Sequence, residues 1–176
     1  VFSNASAFRR IAGIPLVIPE VNPADMKQYD GHACSTNCTV MPVVMPIIGL
    51  KGLGIRKISV YTRQALSGAG WKLLSDKAAL EGNVNPFIPG EEEKLIAELK
   101  YLLDLDIQVT ASCNRVSARD GHLVSVELEV DKATDLENVK NLMKIERLNL
   151  PSSPEIVNNI IEQTPNSCLL YTSPSP

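Results

Sequence analysis

Residues 91–103 of this chain read EEEKLIAELKYLL. Apolar side chains recur at positions 95, 96, 99, 102 and 103, which is the spacing of one face of an α-helix. The three glutamates fall in the first turn, where carboxylates interact favourably with the helix macrodipole. The stretch therefore predicts an amphipathic helix that packs its apolar stripe against the rest of the protein.

The segments on either side of this helix are typical of β-strands. Residues 57–62 alternate before it, and residues 107–111 and 123–130 form apolar-rich runs after it. In the last run the two faces are distinct: Val124, Val126, Leu128 and Val130 share one face with His122, and Ser125, Glu127 and Glu129 share the other. We expect a sheet with one face in the core and one face towards water or another subunit.

Three further elements complete the pattern. Residues 15–19, an apolar run between two prolines, predict a buried strand that ends a preceding domain. Residues 40–50 predict a helix capped by Thr36 or Asn37, with Cys38 in its first turn and a kink at Pro46. Thr134 and Glu137 form a capping box for a helix that carries Leu136, Val139, Leu142 and Met143. The fold class is α/β, with an α+β domain that has a mixed or antiparallel sheet and flanking helices.

Composition restricts the classes of function. Of the 176 residues, 44% are hydrophobic and 21% are charged, and the net charge is -3. There is no Lys/Arg-rich run and no apolar stretch of the roughly 20 residues that cross a bilayer. We expect a soluble protein without nucleic-acid or membrane partners. Cys34 and Cys38 have too few Cys or His neighbours for a zinc site, since His32 is the only nearby histidine. A single-domain chain of this size does not need disulfides, so we expect a reducing compartment, the cytoplasm.

The two ends of the chain differ from its middle. The chain opens on Val1, and we expect a natural N-terminus further upstream. Residues 150–154 have the composition of a linker. Residues 168–176 have no periodicity, and we interpret them as an adapter-derived tail rather than a genuine Ser/Pro-rich end. No Gly-rich turn follows an N-terminal strand, so no complete dinucleotide-binding unit is expected.

Five short blocks carry the chemistry. They are Asn37-Cys38-Thr39, Gln64 with Ser67-Gly68-Ala69-Gly70, Gly90-Glu91-Glu92-Glu93-Lys94, Ser112-Cys113-Asn114-Arg115-Val116 and Asp120-Gly121-His122. Together they supply a thiol, an amide, a cation, a guanidinium and an imidazole, which suit the oxidation or reduction of an acyl group through a thioester. A helix N-terminus and a nearby imidazole would hold Cys38 as a thiolate.

In this order and spacing, the blocks resemble the aspartate-semialdehyde dehydrogenase family in its archaeal and fungal type, over about residues 1–160. The segments 1–7 with Arg9 and 15–22 belong to the same resemblance. The resemblance implies residues 1–36 as the end of an NADP-binding Rossmann domain and residues 37–167 as a truncated catalytic and dimerisation domain. It also implies a homodimer or homotetramer, and a fragment that is inactive by itself.

The resemblance also implies a reaction and a set of roles. The reaction is NADP-dependent reductive dephosphorylation of L-aspartyl 4-phosphate to L-aspartate 4-semialdehyde, a step of threonine, methionine and lysine biosynthesis. The catalytic residues would be Cys38, His122 and Gln64. The substrate-binding residues would be Arg115, Arg9, Lys94, Glu91 and Asn37. The cofactor-binding residues would be Ser3, Asn4, Ser67, Gly68 and Gly70, and no metal is expected.

Other interpretations remain open. Cys34 is a rival nucleophile, because residues 33–38 also resemble the active-site run of glyceraldehyde phosphate dehydrogenase. A lone cysteine is more often a small buried hydrophobe, and His122 alone would be an ordinary edge histidine. The alternative functions are a malonyl-CoA reductase or related acyl reductase of the same family, and a catalytically inactive assembly domain.

Overall fold

The structure is a computed structural model that describes residues 1–143. Its elements follow in chain order: β1 Phe2–Ser3, β2 Ala33–Cys34, α1 Met41–Ile48, β3 Ile55–Gln64, α2 Trp71–Leu74, α3 Lys77–Leu80, α4 Glu91–Leu103, β4 Gln108–Arg115, β5 Leu123–Val130 and α5 Leu136–Leu142. Short stretches of 3₁₀-helix lie at Ser6–Phe8, Pro23–Gln28, Lys51–Leu53 and Leu66–Ala69. The α/β class expected from the sequence is confirmed.

The central sheet has three strands in the order β4-β3-β5. Strand β3 runs parallel to β4 and antiparallel to β5. The register pairs Gln64 with Arg115 and Arg63 with Leu123. The carboxyl ends of β3 and β4 and the beginning of β5 therefore meet at one edge of the sheet, which is where parallel sheets commonly place their binding groups.

One face of the sheet forms the core and the other carries polar residues. Ile58 and Val60 of β3 are fully buried, in a cluster that includes Leu95 and Leu99 of α4. Burying such a side chain contributes about 1.5–3 kcal/mol. The opposite face is more exposed and consists of residues such as Lys57, Tyr61, Thr110, Ser112, Ser125, Glu127 and Glu129. The predicted two-faced character of β5 is confirmed.

The predicted strand at residues 15–19 is reduced to one bridge, between Leu16 and Cys34. Prolines at both ends remove two backbone donors. The side chain of Asn22 takes over part of the pairing, since its amide nitrogen donates to the Leu16 carbonyl and its oxygen accepts from the Ile18 N–H, both at 2.8 Å. The run is buried as expected, but an asparagine holds it where we expected a full strand.

The helix predictions have mixed outcomes. Helix α4 spans Glu91–Leu103 as predicted. Helix α1 begins at Met41, so Cys38 lies in the turn before the helix instead of in its first turn. The capping prediction for α5 is wrong by one residue: the cap is Asp135, whose side chain accepts from the Asn138 N–H. An aspartate directly before the helix competes successfully with the threonine of the capping box.

The predicted linker at 150–154 and the tail at 168–176 lie outside the described residues. Within residues 1–143, no helix is both long and apolar enough to cross a bilayer.

Candidate functional site

The predicted catalytic residues meet at the sheet edge where β3 and β4 end. Gln64 and Arg115 are the last residues of these strands, and His122 precedes β5. Glu91 begins α4, and Cys38 lies in the turn before α1. Five separate segments of the chain thus contribute to one site.

The Cys38 thiol and the His122 imidazole are in contact, with Sγ 3.3 Å from Nε2. The other ring nitrogen, Nδ1, accepts the backbone N–H of Ala65 at 3.0 Å. Because an N–H points at Nδ1, the proton of the neutral ring resides on Nε2. His122 therefore donates its hydrogen bond to the sulfur in this arrangement.

Asn37 completes a directed chain of hydrogen bonds. Its Oδ1 lies 3.5 Å from the Cys38 sulfur and accepts the N–H and hydroxyl of Thr39, each at 2.9 Å. Its Nδ2 donates to Glu91 Oε1 at 2.9 Å, which fixes the orientation of the amide. The order of donation runs from the backbone to His122, from His122 to Cys38 and from the thiol to Asn37.

The electrostatics favour a neutral thiol. Burial raises the pKa of Cys38 above its ordinary value, and the Glu91 carboxylate raises it further, while Arg9 and Arg115 oppose the shift. Burial and then Arg115 lower the pKa of His122. The expectation of a resting thiolate is therefore wrong here, because Cys38 lies outside the helix, beside a carboxylate, and next to an imidazole that is not positively charged.

Glu91 connects the predicted residues of the site. Besides Asn37, it accepts the amide nitrogen of Gln64 at 3.1 Å, and Gln64 also donates to Thr62 at 3.3 Å. Both side chains are buried. Gln64 therefore reaches Cys38 through Glu91 and Asn37. Lys94 joins through its ion pair with Glu91, at 4.0 Å.

Arg115 and His122 are held together by the turn at residues 65–68. The Arg115 Nη1 donates to the Ala65 carbonyl at 2.6 Å, while the N–H of the same residue holds His122. A methyl group at Gly68 would lie 2.8 Å from His122 Cε1 and 2.9 Å from Arg115 Nη1. The missing side chain of Gly68 thus makes room for both groups.

Arg9 is bound to a residue that the sequence analysis missed. Its Nη1 pairs with Glu98 at 3.3 Å, and its Nη2 donates to the Asn4 carbonyl at 2.6 Å. Glu98 also accepts the N–H of Asn37 at 2.7 Å. The available signal was position: residues 91, 95, 98, 99 and 102 are buried on one side of α4, and a carboxylate at 98 interrupts an apolar stripe.

The predicted cofactor residues fall into two groups. Ser67, Gly68 and Gly70 belong to the turn beside His122, and Gly70 has φ +85, a conformation that glycine adopts without strain. Ser3 and Asn4 follow β1: the Ser3 carbonyl accepts the Ser35 N–H at 2.9 Å, and Asn4 contacts Arg9. Of the first group, Gly68 lies directly against His122.

The rival nucleophile Cys34 has a different environment. It is 3% exposed, lies in β2 and belongs to the hydrophobic cluster. Burial also raises the pKa of its thiol. Its position is that of a structural cysteine. Among residues 1–143 there is no cluster of three or more His, Cys, Asp or Glu side chains that would hold a metal ion.

A cysteine in contact with an oriented histidine, with guanidinium groups beside it, is typical of enzymes that form covalent intermediates on a thiol. Comparison with known proteins identifies the class more closely. Residues 45–170 match the family described as semialdehyde dehydrogenase, dimerisation domain. The chain therefore belongs to the semialdehyde dehydrogenase family.

Individual relatives agree. The chain is 40% identical over 177 residues to the aspartate-semialdehyde dehydrogenase of Archaeoglobus fulgidus, covering 89% of this chain and 51% of that protein. The structure matches aspartate semialdehyde dehydrogenase II of Vibrio cholerae with a TM-score of 0.71 at 25% identity, covering 85% and 53% of the two chains. It matches the Candida albicans enzyme, solved with NADP, with a TM-score of 0.65 at 29% identity, covering 81% and 47%. The chain spans about half the length of these relatives.

Proposed function

We propose that this chain is the catalytic part of an aspartate-semialdehyde dehydrogenase. The reaction is NADP-dependent reductive dephosphorylation of L-aspartyl 4-phosphate to L-aspartate 4-semialdehyde, in threonine, methionine and lysine biosynthesis. The observation that carries the proposal is the 3.3 Å contact of Cys38 Sγ with His122 Nε2, in a site whose guanidinium groups oppose the rise of the thiol pKa. The identically named relatives support the choice of substrate.

In this proposal Cys38 is the nucleophile. Its sulfur forms a bond to the C4 carbonyl carbon, the bond to the phosphate oxygen breaks, and the thiol proton leaves on the departing phosphate. His122 acts as the acid of the pair: its Nε2–H stabilises the sulfur anion as it forms and again when the thiolate leaves the aldehyde product. NADPH, when bound, would supply the hydride that reduces the thioester, and a proton from solvent would restore the Cys38 thiol.

The two arginines divide the recognition of the substrate. Arg115, with Nη1 held by the Ala65 carbonyl, presents the rest of its planar fork to the substrate carboxylate. Arg9 and Lys94 hold the phosphate, and Glu91 with Asn37 fixes the turn that carries the nucleophile. Gln64 supports Glu91. Ser67, Gly68 and Gly70 would lie against the nicotinamide, and Ser3 and Asn4 would contact the cofactor from the N-terminal segment.

We also propose the assembly and the place of action. The outward face of β3, β4 and β5 packs against a second copy of the chain in a homodimer or homotetramer. The protein acts in the cytoplasm. Tyr61 and Leu123 on this face are 48% and 55% exposed in the isolated chain. Polar residues surround them, and an apolar centre with a polar rim is typical of protein–protein interfaces. Residues 1–36 would end the NADP-binding domain and residues 37–167 would form the catalytic domain.

The test is an assay of the complete gene product with aspartate semialdehyde, inorganic phosphate and NADP, in which NADPH formation is followed. We expect activity that requires phosphate, is lost in Cys38→Ala and is retained in Cys34→Ala. Loss only in Cys34→Ala would move the nucleophile. Reduction of CoA esters without phosphate-dependent activity would favour the acyl reductase. A biological activity that survives Cys38→Ala would favour an assembly domain.

A further inference from the structure

Glu98 is a buried charge that contacts two different segments of the site. It is 3% exposed on the inner side of α4. One carboxylate oxygen pairs with Arg9 Nη1 at 3.3 Å, and the other accepts the N–H of Asn37 at 2.7 Å. Asn37 is the residue before Cys38, so a single side chain joins a cation to the peptide that carries the thiol.

A carboxylate at this position is costly unless both oxygens are paired, and an apolar residue would pack there without that cost. Leu95, Leu99 and Leu102 do so on the same side of the helix. The position of Glu98 is therefore explained by what it contacts, because hydrophobic packing alone would favour a leucine.

The state of Arg9 indicates what this contact provides. Two of its nitrogens are occupied, by Glu98 and by the Asn4 carbonyl, and its side chain is 10% exposed. Its Nε is buried and has no hydrogen-bond partner among the described residues. A guanidinium that is held on one side suits an incoming oxyanion, because Nη1 and Nη2 each carry a second N–H besides the one that is occupied.

We propose that Glu98 is a positioning residue that orients Arg9 for anion binding and fixes the Asn37–Cys38 peptide, so that one side chain holds the anion site and the nucleophile in register. This inference rests on the proposed function, in which Arg9 holds phosphate. Glu98 itself touches no reacting atom, and it acts through Arg9 and Asn37.

The variant Glu98→Gln separates the two contacts. Glutamine has the same size and keeps an oxygen that can accept the Asn37 N–H, but its second group is an amide NH₂ that faces the donors of Arg9. We expect the nucleophile to stay in place while the grip of Arg9 on an anion weakens. Glu93→Gln, an exposed change of the same kind on the same helix, is the matched control.

The first measurement uses the complete gene product and needs no substrate. Iodoacetamide labels Cys38, the labelled peptide is quantified by mass spectrometry, and inorganic phosphate is the protecting ligand. We expect phosphate to slow labelling of the wild type. In Glu98→Gln the concentration for half-protection should rise about 10- to 100-fold, with little change in the labelling rate without phosphate. Glu93→Gln should behave as the wild type.

A double variant guards against a merely structural effect. If Glu98 acts through Arg9, Arg9→Gln and Glu98→Gln together should weaken protection no further than Arg9→Gln alone. Additive losses would overturn the proposal, and so would an unchanged half-protection concentration in Glu98→Gln. Failure of phosphate to protect the wild type would also overturn it.

Turnover measured in parallel separates this inference from the proposed function. With aspartate semialdehyde, Glu98→Gln should raise the KM for phosphate much more than it lowers kcat. One outcome is that phosphate protects Cys38 in the wild type, and less so in Glu98→Gln, while aspartate semialdehyde is not turned over. In that case the positioning role stands and the proposed substrate is wrong. If the wild type turns over aspartate semialdehyde and Glu98→Gln has the same KM for phosphate, the proposed function stands and only the positioning role is refuted.

Discussion

Replacing Gly68 with alanine should damage the catalytic pair directly. The added methyl carbon would lie 2.8 Å from His122 Cε1 and 3.0 Å from Nε2. Ordinary contact begins at 3.4 Å, so the imidazole must withdraw by about 0.6 Å. If it withdraws away from the thiol, the 3.3 Å contact with Cys38 lengthens to about 3.9 Å, which is close to the outer limit of a hydrogen bond to sulfur and weakens the contact.

The size of the effect follows from this displacement. A misplacement of about 1 Å costs a reacting group on the order of 100-fold in rate, so we expect kcat/KM to fall about 10- to 100-fold in Gly68→Ala. The crowding should also lower the free energy of unfolding by about 1–3 kcal/mol. Steady-state NADPH formation and thermal unfolding of the complete gene product measure the two effects.

Gly52→Ala is the control, because a methyl group there has no atom within 4 Å and Gly52 does not need a positive φ. Wild-type turnover in Gly68→Ala would refute the account of the site, since it would mean that His122 does not need its present place. A similar loss in Gly52→Ala would show that the effect is not local.

Three further predictions follow from the same structure. Glu91→Gln removes a negative charge near the half-buried Cys38 thiol, so the pKa of Cys38 should fall and its alkylation at neutral pH should accelerate. The alkylation rate against pH measures this, and an unchanged profile would contradict the assigned contribution of Glu91. Asp135→Ala should lower the free energy of unfolding by about 1 kcal/mol and Thr134→Ala by less, because Asp135 caps α5. Denaturant titrations measure both values, and equal losses would support Thr134 as a cap instead. Tyr61→Asp should convert the assembly to monomers in sedimentation velocity while Leu80→Asp, an exposed apolar residue off the sheet, should not; intact oligomers in Tyr61→Asp would remove the sheet face from the interface.

The elements that the sequence predicted well have regular patterns of their own. Helix α4 was predicted from its apolar spacing and its acidic first turn, and both of its ends agree with the structure. Strand β5 was predicted from strict alternation. In these segments local propensity and burial favour the same conformation, so neighbouring residues suffice.

Predictions failed where distant residues decide the outcome. The pKa of Cys38 is raised first by burial and then by Glu91, and both arise only in the fold, because Glu91 is remote in sequence. The strand at 15–19 depends on the side chain of Asn22. Glu98 was missed because it contributes to the site only through contacts with Arg9 and Asn37, which lie 89 and 61 residues away in the sequence. The roles of the site residues remain predictions that the experiments above test.

The contact between Cys38 and His122 joins positions that are 84 residues apart. Closing so long a loop has an entropic cost that local interactions do not offset, so the pair forms only when most of the chain has condensed. The alkylation rate of Cys38 therefore reports when the tertiary structure around it has formed. Followed during refolding, Cys38 should acquire its native alkylation rate with the last cooperative step, after the secondary structure has already formed.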